Sequence, residues 1–185
     1  STSRNESDIP EILSGYFNGR TTGTPLCAII RNSDTRSKDY GELKNLMRPG
    51  HADFTGNVRY SGFNDYRGGG HFSGRITANL VFAGAICKQI LEKEGIYIGA
   101  HISSIKDIKD KDFNSTNILK DEILKLRKME LPLIDESLGE KIKHTILQAK
   151  YDGDSVGGSI ECAVTGISPG IGNPFFDSVE STLAH

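Results

Sequence analysis

ITANLVFAGAICKQILEKEG, residues 76–95, runs directly into IYIGAHISSI, residues 96–105, and these thirty residues are where the fold class becomes readable. The first stretch carries apolar residues on nearly every face at helical period and ends on Gly95, a ready C-terminal cap. A helix apolar all round is expected to be buried as a central layer. The second stretch alternates, with Ile96, Ile98, Ala100 and Ile102 on one face, as a half-covered strand does. Upstream, EILSGYFNGRTTGTPLCAIIRN predicts a strand over 12–17, a hairpin-type turn at Asn18-Gly19 and a strand over 25–30. SDTRSKDYGELKNL predicts loop with a short helix, and residues 48–75 read as irregular apart from a short strand around Val58–Tyr60.

Downstream, KDIKDKDFNS has the balanced charge of a solvated surface loop, and NILKDEILKLRKMELP the pattern of a peripheral amphipathic helix. Ser137 and Glu140 make a capping-box pattern ahead of a helix over 138–150, and SIECAVTGI predicts a further strand. Strands that pair locally and are separated by helices predict an α+β fold rather than a doubly wound parallel sheet. No internal repeat and no convincing boundary divides residues 1–185, so the chain is expected to be one domain. It opens on Ser1, and FFDSVESTLAH at its end resembles the first turns of an amphipathic helix, so an internal piece of a longer protein is expected.

Net charge is -2 and the isoelectric point about 6.2, which excludes a general nucleic-acid surface. No apolar run reaches the roughly 20 residues that a membrane span needs, so no membrane role is expected. Cys27, Cys87 and Cys162 lie far apart among apolar or small residues, which predicts buried, reduced thiols in a cytosolic protein rather than a disulfide or zinc scaffold. Glycine stands out at 21 of 185 residues, with clusters at 62–74, 153–158 and 166–172. Such clusters beside regular structure suit backbones that approach something closely or adopt positive φ.

One window gathers cationic and flexible residues. From Arg31 to Arg75 there are eight Lys or Arg against five acids, together with His51 and His71, in a chain that is net negative. A local excess of this kind suits a small polyanion. In GGGHFSGR, three glycines run toward a helix start where His71, Ser73 and Arg75 add side-chain donors. The spacing fits neither the dinucleotide fingerprint nor a Walker loop, and is compatible either with a phosphate site or with a tight turn packing helix on sheet. In RPGHAD, Pro49 and Gly50 would fix Arg48, a fork for phosphate or carboxylate, and His51, a proton donor near neutral pH. Taken by itself, His51 reads first as a loop histidine bonded to Asp53; no third ligand completes a metal site, so no metal is expected. GDSVGG at 153–158 has one valine too many for a chymotrypsin-like nucleophile motif; its glycines suit a close crossing of helix and strand.

Taken together, TTGTP (21–25), IRNSDTRSKDY (30–40), RPGHADFT (48–55), DYRGGGHFSGRITA (65–78), AGAICKQIL (83–91) and GDSVGG followed by GISPGIGNPFFD resemble the chorismate synthase family, in its order and over nearly the whole chain. The resemblance implies a layer of helices between antiparallel sheets and assembly as a homotetramer. It implies a carbon–oxygen lyase that converts 5-enolpyruvylshikimate 3-phosphate to chorismate by a 1,4-elimination of phosphate, with reduced FMN (FMNH2) required and no net redox change. By matching positions, His51 resembles the histidine that protonates the reduced flavin. Arg48 and Arg75 resemble arginines that hold substrate anions. Arg4 matches another, linked with NADPH in bifunctional members. His71, Phe72 and Ser73 occupy the flavin-contacting segment, where many members have Arg-Ser-Ser. The family's GESHG histidine and its C-terminal flavin contacts and catalytic aspartate have no counterpart in these residues. An enzymatically silent phosphate- or flavin-binding domain is therefore the expectation for the 185 residues alone.

Overall fold

The computed structural model describes residues 7–32, 46–49 and 51–185. The chain forms two compact units, Ser1–Ile86 and Cys87–His185, with the division falling inside one helix. Arg4 and the 33–45 segment, for which a loop and short helix were expected, lie outside the described residues.

The first unit begins with four short strands, β1 (Pro10–Ser14), β2 (Tyr16–Phe17), β3 (Arg20–Thr21) and β4 (Cys27–Ile30). β1 pairs antiparallel with β4, from Pro10 opposite Ile30 to Ser14 opposite Cys27, and β2 pairs with β3. Asn18 and Gly19 sit at φ 46° and 78° between β2 and β3, both in the left-handed region that a two-residue hairpin turn requires. The single strand expected over 12–17 is split at Gly15, which bends at φ 78°; a Cβ there would lie 2.7 Å from Leu26 Cα. The strand expected around Val58–Tyr60 is instead the end of a helix, α1 (Asp53–Arg59). Asp53 occupies its first turn, and Gly56 lets the helix sit against Phe72, whose Cε2 is 2.5 Å from where a Cβ would stand.

α2 (Thr77–Lys93) follows a short 3-10 turn, Gly74–Ile76, started by Ser73 Oγ accepting from the Arg75 amide at 3.3 Å. It closes on Gly95 at φ 78°, with the Ile96 amide donating to Leu91 O and the Gly95 amide to Glu92 O, the paired bonds of a Schellman stop. The expected burial of this helix is not found: none of its residues is buried, and Leu80 and Val81 are more than two-thirds exposed. Periodicity identifies a helix that is apolar all round, but cannot say which polypeptide covers it.

The second unit is built on β5 (Tyr97–Ile105), flanked by β6 (Ile108–Lys109) and β7 (Gly158–Thr165), all antiparallel. Register runs from Tyr97 opposite Thr165 to Ile105 opposite Gly158, with a bulge between Ile102 and Ser104. The alternating stretch forms the expected strand, and its two faces are covered unequally. Gly99 and His101 are buried while Ala100 is exposed. Gly99 explains the choice: α3 (Lys120–Leu126) packs so closely there that a Cβ would lie 2.6 Å from Ile123 Cγ2. The bulge then turns Ile102 and Ile105 onto a core of Ile108, Leu133 and Ile142. A second core joins Phe113, Leu126 and Ala163.

α4 (Gly139–Tyr151) buries Ile142 in the first of these cores. The expected capping box does not form; Asp135 takes both the Ser137 amide (3.1 Å) and its hydroxyl (2.5 Å), so Ser137 is engaged one turn early. α5 (Val179–Ala184) starts where the terminal helix was expected, capped by Ser178 Oγ from the Ser181 amide. The 106–115 charge run is not a plain surface loop, since Ile108, Asp110 and Phe113 are buried. Nor are the three cysteines buried: all are free and exposed, Cys162 on the uncovered face of β7 beside Ile160 and Val164. No helix among the described residues is long and apolar enough to cross a membrane.

Candidate functional site

The geometry of the first unit centres on Asp53, at the start of α1. Arg48 donates to it three times, from the backbone N (3.0 Å) and Nε (2.8 Å) to Oδ2 and from Nη2 (2.9 Å) to Oδ1. The Arg48 guanidinium beside it, outweighing the cost of burial, holds the Asp53 carboxyl far below the usual carboxylate range, so it is an anion at any physiological pH. His51 Nδ1 lies 3.0 Å from Asp53 Oδ1 and 3.4 Å from Arg48 Nη2. His51 is thus partnered by Asp53, as one reading of the sequence had it, and its ring remains about a third exposed.

The triple glycine packs against that ring through its middle residue. It does not feed the start of α2 as expected, but forms its own 3-10 helix, Arg67–Phe72. Gly69, at φ 86°, is buried beneath His51; a Cβ would lie 2.8 Å from the ring Cε1 and 3.1 Å from Nε2. Gly70, at φ 50°, presses against the Asp65 carbonyl. At both glycines the backbone takes a left-handed φ that side chains rarely adopt, and both are used for close packing.

One residue further along, a cleft of about 270 Å³ is lined by Asn32, Arg67, Gly70, Ser73, Arg75 and Asn79, with Ile30, Ile76 and Ala78 as its apolar part. Two of the expected site residues, Ser73 and Arg75, meet here. Arg75 Nη2 donates to Asp8 Oδ1 at 2.6 Å, and Arg67 makes a fork to Asp65 at 2.9 Å on each oxygen. Of the remaining expected residues, His71 is exposed, and Phe72 turns toward α1, 6.3 Å from the Tyr60 ring. Arg67, Asn32 and Asn79 were missed as cleft residues, although Arg67 stands inside DYRGGG and Asn32 inside IRNSDTRSKDY.

A second polar cluster, wholly unforeseen, lies inside the other unit. His101 is 1% exposed, with Nδ1 3.2 Å from Asp110 Oδ2 and Nε2 2.8 Å from Glu161 Oε2. Asp110 also accepts from the amides of Lys111, Ile134 and Asp135, and Glu161 from that of Phe113. Burial alone would raise the Asp110 carboxyl, yet these donors bring it below its ordinary value; the Phe113 amide and then His101 lower Glu161. In GDSVGG, Gly158 lies tightly against the Ser104 carbonyl where β7 pairs with β5, a strand-on-strand contact in place of the expected crossing of helix and strand.

A sequence model of the family described as chorismate synthase matches residues 1–185. The chain belongs to the chorismate synthase family. It is 45% identical over 184 residues to the chorismate synthase of Pyrococcus abyssi and 42% over 183 residues to that of Thermococcus kodakarensis, covering 100% and 99% of this chain. It is 44% identical to that of Chitinophaga pinensis over 184 residues. A crystal structure of chorismate synthase matches with TM-score 0.67 and 31% identity over 89% of this chain and 46% of that one. The chain spans about half the length of these curated relatives, 50%, 49% and 46% respectively. Their fold agrees with the α+β class: helices combined with small antiparallel sheets, here incomplete.

Proposed function

We propose that residues 1–185 are one partial domain of an enzyme that eliminates phosphate from 5-enolpyruvylshikimate 3-phosphate to give chorismate and requires reduced FMN. The observation that supports this reading most is the seating of His51, between the Asp53 carboxylate and the backbone of Gly69, one residue from a cleft lined by two arginines. The donor set of that cleft, two guanidiniums, a hydroxyl and two amides, fits the phosphate that both flavin and substrate carry. Ser73 and Arg75 would hold it, with His71 and Phe72 beside the flavin. When bound, reduced flavin supplies electron density to the allylic substrate.

The chain's own residues do the rest. Arg75 is paired with Asp8, whose side chain is about half exposed, so a phosphate can take the carboxylate's place at little cost. Arg48 and Arg75, with Arg4 as a third, neutralise substrate anions, and prepositioned cations of this kind commonly lower a barrier by a few kcal/mol. His51 holds the proton that keeps the flavin in its productive protonation state. The whole protein is read as a homotetramer of the cytoplasm, with NADPH engaged only in a bifunctional member. In the full-length enzyme, His51→Ala should lower kcat by roughly 10²-fold or more, the scale of a lost acid–base group. Turnover equal to wild type in a steady-state chorismate assay would remove His51 from the mechanism.

A further inference from the structure

The Asp53 carboxylate and the glycine beneath the His51 ring make a second-level arrangement that the acid role alone does not require. We propose that Asp53 is a positioning residue that fixes the His51 ring as its Nδ1–H tautomer, with Gly69 holding the ring in place, so that the exchangeable proton sits on Nε2. This inference rests on the reading of His51 as a proton donor.

The argument is one of charge and space. Nδ1 has two polar neighbours of opposite sign, the Asp53 oxygen at 3.0 Å and Arg48 Nη2 at 3.4 Å. The nearer is anionic, and Nη2 is already committed to that same oxygen at 2.9 Å. A bare lone pair on Nδ1 facing a carboxylate would be repelled, whereas an N–H there is attracted. Asp53 cannot take the proton itself, because three Arg48 donors hold it ionised. When the doubly protonated ring gives up one proton, Nε2 is therefore the site it leaves, Nδ1–H remains, and the ring is neutral. Gly69 lies against the Cε1–Nε2 edge, and any side chain at 69 would push that edge aside. Arg48 thereby gains a role besides anion binding, since it keeps Asp53 charged.

The test is magic-angle-spinning NMR of the full-length protein labelled with 15N in its histidine rings, His51→Gln identifying the resonance, alongside steady-state kinetics. The neutral ring should show Nδ1 protonated in the wild type and Nε2 protonated in Asp53→Asn. In that variant kcat should fall roughly 10- to 100-fold, as for other residues that orient a reacting group, with KM changed less than about threefold. Gly69→Ala, which keeps the carboxylate, should lower kcat while preserving the Nδ1–H signal, and it serves if Asp53→Asn does not fold. Nε2 protonation in the wild type, or an unchanged tautomer and kcat in Asp53→Asn, overturns the proposal. Should His51→Ala turn over normally while the tautomer still follows Asp53, the positioning stands and only the acid role falls.

Discussion

His101 shows how a single residue can organise the interior of a small unit. Among the described residues it is the one histidine placed with a carboxylate at each ring nitrogen, 3.2 Å to Asp110 and 2.8 Å to Glu161, with Phe113 edge-on at a centroid distance of 4.7 Å. Removing one member of a buried charged set leaves the others uncompensated, so His101→Leu should destabilise the full-length protein by about 3 kcal/mol in urea; a loss under about 0.5 kcal/mol would mean the cluster is energetically idle. Acid should act through the same groups. Asp110 and Glu161 are both lowered in the folded state, so their contribution is complete above the unfolded carboxylate values of about 3.9 and 4.3 and is lost as pH falls below them. Asp110→Asn should flatten the dependence of stability on pH below about 4, measured by denaturation at stepped pH. Sequence hid this cluster for a physical reason. His101 lay on the face of β5 opposite the isoleucines, and Asp110 inside a charge run whose other members are solvated.

Among elements, the decisive contact is α3 on β5, where the absent side chain of Gly99 makes room for Ile123. Gly99→Val should cost about 1–3 kcal/mol through overpacking, whereas Gly84→Ala, in α2 with no atom within 4 Å, should be neutral or stabilise by up to about 1 kcal/mol. Equal effects at the two positions in thermal unfolding would refute the packing account. The same contrast explains what was legible. α2, α4, β5 and β7 carry long periodic runs, and a period fixes an element's type. It does not fix which face is covered, which on β5 depends on Gly99 admitting Ile123. Val58-Arg59-Tyr60 suggests a strand by composition, yet Gly56 against Phe72 and Asp53 in the first turn favour helix there. The site was readable where its parts are neighbours in sequence, as Arg48, His51 and Asp53 are. It was not readable where folding assembles them: Asn32, Arg67 and Asn79 come from separate segments to one cleft.

At the scale of the molecule, the outstanding property is apolar surface left open. Leu80, Val81 and Ile90 of α2, Ile160 of β7, and Phe175 and Phe176 are each at least 60% exposed. The chain also spans about half of its curated relatives, for example 50% of the Pyrococcus abyssi enzyme. The proposal that these 185 residues alone are an anion-binding part rather than a working enzyme has a direct test. Purified and mixed with reduced FMN and 5-enolpyruvylshikimate 3-phosphate under anaerobic conditions, they should form no chorismate detectable by its absorbance while still retaining phosphate on equilibrium dialysis; chorismate formation would end that view. One feature of β7 has a practical corollary. Because Cys162 stands bare on the open side of its sheet, serine at Cys27 and Cys87 would leave a lone sulfur there. A maleimide dye on it would dim or slow its attachment whenever another polypeptide came to rest on that sheet, making concealment of the surface something to be timed in a cuvette.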